Sequence, residues 1–67
     1  MPVAKVTEII ASSPKSFDDA VVSGIRRANK TIKNIRGAWI AQEKIKVEEG
    51  KITEFRVVMC VTFVLKD

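Results

Sequence analysis

The 67-residue sequence has no histidine, no tyrosine and one cysteine, Cys60. A single thiol excludes a disulfide within the chain, and without histidine a zinc-type site is short of ligands. The commonest general base is missing too. No serine or cysteine has a partner that would make it a nucleophile, and no glycine-rich phosphate loop is present. An enzyme is therefore not expected. Aromatic residues make up only 6% of the chain, too few for a platform on which nucleic-acid bases stack. Apolar runs extend for only a few residues, so no segment is long enough to span a bilayer. The opening MPVAKVTEII lacks the apolar core of a signal peptide. A lone cysteine without such a signal makes a reducing cytoplasm the expected location.

What is present is apolar and basic. Hydrophobic residues are 46% of the chain, ample for a packed core. Twelve basic against eight acidic residues leave a net charge of +4, a moderate excess that solubility alone explains. The length sets the harder constraint. A chain this short buries only about 60% of the surface its unfolded form exposes. Small domains make up that deficit with disulfides, metals or oligomerisation. The first two have little support here, so residues 1–67 are read as one domain that self-associates.

Four segments follow one another. Val3 to Ala11 is rich in strand formers: Val3, Val6, Thr7, Ile9 and Ile10. Ser12-Ser13-Pro14-Lys15 breaks it, since proline disfavours helix in the residue before it. Ser16 and Asp19 have capping-box spacing, with Asp shorter than the preferred Glu. From there Phe17, Ala20, Val21, Gly24, Ile25, Ala28, Ile32 and Ile35 recur at three- and four-residue steps, the stripe of an amphipathic helix. Gly24 inside that stripe suggests close packing against a sheet. Arg26, Arg27, Lys30 and Lys33 occupy the other face, and Asn34 and Gly37 are stop signals. The remainder reads as a hairpin: Ala38 to Val47, a turn at Glu48-Glu49-Gly50-Lys51, then Ile52 to Leu65.

The last strand alternates. Its odd positions, Phe55, Val57, Met59, Val61, Phe63 and Leu65, are apolar and should face the helix. Its even positions run from Glu54 and Arg56 to Val58, Cys60, Thr62 and Val64. That second face should be open to water, yet it carries Val58, Cys60 and Val64. Trp39 joins them, because alternation sets it opposite Ala38 and Ile40. A contiguous apolar patch opposite the core marks an interface or a ligand site.

The order strand, helix, long hairpin in under seventy residues resembles the dodecin family. KVTEIIASSPKSFDDAV is similar to that family's first strand, turn and helix start, IRRANKTIKNI to its helix end, and EFRVVMCVTFVL to its last strand. The resemblance implies an α+β subunit of βαββ order, with a three-stranded antiparallel sheet partly wrapped around one helix. It implies twelve copies in a hollow homododecamer that binds and protects flavin (FMN, riboflavin or a related ring compound) between subunits without catalysis.

The family's flavin residues need checking individually. Its stacking tryptophan aligns with Gly37 and its ring-contacting glutamine with Arg56, so both are altered. The nearest tryptophan, Trp39, lies two residues on and on the same face as Gly37. Carried over to this chain, Trp39 is the candidate stacking residue, Arg56 the polar contact, and Arg36 with Gly37 the pocket edge. Each has a plainer reading. Trp39 suits subunit packing. Arg56 suits an ion pair with Glu54 or Glu43. Gly37 suits a turn out of the helix, and Cys60 is a small buried apolar residue. Gln42 falls where some dodecins hold a metal with a carboxylate, so no metal is expected. Two further readings stay open: a cage of the same fold that binds ions or another small molecule, and a basic oligomer that binds anionic polymers through Arg26, Arg27, Lys30, Lys33 and Arg36. The scarcity of aromatics argues against nucleic acid.

Overall fold

A computed structural model of the chain describes residues 2–66. β1 (Val3–Ser13), α1 (Phe17–Ala28), β2 (Ile35–Glu48) and β3 (Lys51–Leu65) follow in the βαββ order expected. The strands form one antiparallel sheet in the order β1-β3-β2. The most apolar strand is therefore central. β3 pairs with β1 from Val3↔Leu65 to Ser13↔Phe55, and with β2 from Ile35↔Phe63 to Glu48↔Lys51.

The break before α1 is tied by three hydrogen bonds. Asp19 N–H donates to Ser16 Oγ at 2.9 Å, which caps the helix. The Asp19 side chain does not close the box. Its carboxylate accepts the hydroxyl of Ser13 at 2.6 Å, and Ser13 Oγ in turn accepts the Lys15 N–H at 2.9 Å. Ser13 is buried with its bonds satisfied.

The helix stops earlier than its stripe suggested. It ends at Ala28 with Asn29 as cap, and one looser turn follows, closed by Ile32 N–H to Ala28 O at 2.8 Å. Asn34 then takes φ +65° and redirects the chain, so Ile35 begins β2 opposite Phe63. Asparagine tolerates this left-handed conformation, and its backbone carbonyl also accepts the Val64 N–H. Gly37 is thus not the turn residue. It lies inside β2 opposite Thr62.

The core is small. Val57, Met59 and Val61 of β3 are buried beneath Ala20 and Ala28, with Ile9, Ala11, Phe17, Val21 and Ile25 packed around them. Phe17 and Phe55 meet edge to face, their centroids 5.2 Å apart. The odd positions of β3 therefore face α1 as expected. A 12-residue helix is only about 18 Å long, whereas strands of 14 and 15 residues run to nearly 50 Å. The helix packs on β1 and β3, and β2 remains exposed along all but Ile35. The subunit is a thin slab, 52 × 19 × 13 Å.

Candidate ligand-binding face

The face of the sheet away from α1 is built in rungs. Gly37, Thr62 and Val6 form one, followed by Trp39, Cys60 and Glu8, then Gln42, Val58 and Ile10, then Lys44, Arg56 and Ser12. Simple alternation from Trp39 would put Ala41 and Glu43 on this face. A bulge at Ala41 shifts the register by one, so Gln42 and Lys44 face the ligand side instead and Glu43 turns to the helix side opposite Val57. Glu43 is therefore no partner for Arg56 within the subunit.

Trp39 is 52% exposed, with Gly37 two positions away on the same face, as alternation required. Gly37 has no positive φ, and a Cβ there would only touch Thr62 Oγ1 at 3.4 Å. Neither backbone nor crowding demands glycine, so its effect is to leave space beside the indole. The Thr62 hydroxyl donates to Gly37 O at 3.0 Å, which holds this rung in place. Arg36 is the extra residue of a second bulge between Ile35 and Gly37, and it is exposed. Cys60 is half-buried rather than buried, directly opposite Trp39.

Arg56 lies four residues further along β3 than the partner of Trp39, about 13 Å at the usual rise. Its Nε–H donates to Ser12 Oγ at 3.3 Å, and its Nη2 pairs with Glu54 Oε2 at 3.2 Å. The ion pair expected with Glu54 is therefore present, half-exposed and worth about 0–1 kcal/mol. The groove holding Arg56 is lined also by Lys44, Ile45, Lys46 and Glu54, and Trp39 is not part of it. One subunit thus brings Arg36, Gly37 and Trp39 together but leaves Arg56 apart. A compact ligand touching both ends needs groups from more than one copy.

Residues 3–66 match the family model for dodecin. The chain belongs to the dodecin family. It is 34% identical to calcium dodecin from Mycobacterium tuberculosis, over 98% of this chain and 93% of that one. Dodecin from Streptomyces davaonensis superposes with a TM-score of 0.94 at 30% identity, covering 98% and 97% of the two chains. The crystal structure of the Mycobacterium tuberculosis calcium dodecin, described as having a novel calcium-binding site, gives 0.81 at 32% identity over 96% and 91%. Dodecins are small non-enzymatic binding proteins. The tryptophan, glycine and arginines were legible as site candidates because they stand out by type. Lys44 was not, since only the bulge at Ala41 sets it opposite Arg56, and no residue signals that bulge.

Proposed function

We propose that this dodecin binds and buffers a flavin or a related aromatic ring compound, stacked on Trp39 between subunits of a twelve-copy shell. The carrying observation is the half-exposed indole of Trp39 on an open, largely apolar face, with the empty side of Gly37 next to it. Stacking of a planar ring on the indole and exclusion of water by the neighbouring copy would restrict the ring's photochemistry. Arg36 borders the space at Gly37. Arg56 supplies N–H donors from its own groove to a ligand held by two copies, although a guanidinium has no acceptor to match an amide. The single free thiol of the chain fits a cytoplasmic site of action.

A second reading has one observation in its favour: a relative of 34% identity is named a calcium dodecin. Among the described residues no three His, Cys, Asp or Glu side chains gather, so an ion site would have to be assembled from several copies. The test is titration of the purified assembly with riboflavin and FMN, following quenching of flavin fluorescence. The expected result is saturable quenching that weakens about tenfold or more in Trp39→Ala, since ring stacking contributes roughly 1–3 kcal/mol. Absence of quenching, with calcium binding measured on the same particle, would replace the flavin reading with the ionic one.

A further inference from the structure

The rung that carries Arg56 holds a second cation. Lys44 lies directly opposite Arg56 in the antiparallel register. Like charges at directly opposed positions repel and weaken the pairing. Glu54 offsets part of the charge on Arg56, through Nη2 at 3.2 Å, while Lys46 is engaged by Glu48 at 3.6 Å. Lys44 has no ion-pair partner among the described residues. Together with Ile45 and Glu54, the three cations line a groove of about 440 Å³ at the β2 edge. Ser12 ends the row on β1, its oxygen accepting the Arg56 Nε–H and its own proton left to donate.

We infer that Lys44 and Arg56 form an anion site for a phosphate monoester. A dianion between them turns a repulsive pair into an attractive one, and its oxygens accept from Lys44 Nζ, from the Arg56 Nη1 that neither Ser12 nor Glu54 engages, and from the Ser12 hydroxyl. Arginine is the residue whose planar donors suit phosphate, and an ammonium beside it acts as a point charge. The Glu54 carboxylate opposes the anion and keeps the site from holding monoanions strongly. The phosphate has two sources: free inorganic phosphate, or the tail of a ring compound stacked on Trp39, which shares this face. In the second case the inference rests on the reading of Trp39 above; the anion site itself does not.

The experiment is thermal unfolding of the assembled wild type and of Lys44→Gln, in inorganic phosphate and in chloride at equal ionic strength, together with FMN and riboflavin titrations of both. The expected result is a saturable rise in wild-type Tm of roughly a few degrees with phosphate. Lys44→Gln should have a higher Tm than wild type in chloride, because the repulsion is gone, and should not respond to phosphate. FMN should bind wild type about tenfold more tightly than riboflavin, a preference that Lys44→Gln abolishes. A phosphate response without any flavin binding supports the anion site and removes the ring reading. A phosphate response with equal binding of the two flavins supports free phosphate as the occupant. Identical wild-type melting in phosphate and chloride overturns the site, and so does a phosphate response that survives in Lys44→Gln.

Discussion

Gly24 sits where the helix backbone comes closest to the sheet. A Cβ built there would lie 2.8 Å from Ala11 Cβ and 2.8 Å from Met59 Cε. Helix propensity favours alanine over glycine by about 1 kcal/mol. Overpacking works against it, at about 1–3 kcal/mol. The steric effect should win, because Ala11 Cβ is fixed to its strand and only the Met59 methyl can swing away. Gly24→Ala is therefore expected to lower stability by about 1 kcal/mol in urea unfolding, and equal or greater stability would show that β1 yields. The same scale explains the candidate site. Trp39 and Gly37 matter through what one side chain offers and the other omits, and both were visible in the sequence. Lys44 looked like one more surface lysine until its cross-strand partner was known.

At the scale of elements, the turns decide where strands begin. Glu49 and Gly50 both have positive φ, at 52° and 76°, between the paired Glu48 and Lys51. This is the pattern of a type I′ hairpin turn, which favours Asn-Gly. Glutamate in the left-handed region is strained, so Glu49→Asn should raise stability by roughly 0.5–1 kcal/mol in the same urea measurement. A loss of stability would mean that Glu49 makes a contact which outweighs the strain. The helix end illustrates the limit of periodicity. Ile32 and Ile35 continue the apolar spacing, yet the left-handed Asn34 stops the helix short of Ile35 and sends it into β2. Pairing of Ile35 with Phe63 satisfies backbone groups that a longer helix would have withheld from the sheet.

At the scale of the whole molecule, the subunit is too thin to stand alone. Only Ala20, Ala28, Val57, Met59 and Val61 are buried apolar residues among those described, while Ile10, Trp39, Ile40, Ile45, Val47 and Ile52 are each 45% exposed or more. Apolar surface on both sides of β2 has no cover within the chain. Light scattering at low concentration should therefore show no folded 7.5 kDa species, and the proposed shell predicts a particle of twelve times that mass. A folded monomer would contradict both the assembly and any site shared between copies.

The sequence by itself determined the element order, the inward face of β3, the close approach at Gly24 and the need for more apolar cover than one chain supplies. These follow from local preferences and from periods of two and of three to four residues, which act over a few positions and can be read directly. Tertiary structure alone decided the central place of β3, the early end of α1 and the three bulges. Of these the bulge at Ala41 matters most, because a one-residue shift turns every later side chain of β2 to the other face. That shift arises from how two strands pair along their length. It is why Lys44 meets Arg56, and why Glu43, so close in sequence, does not.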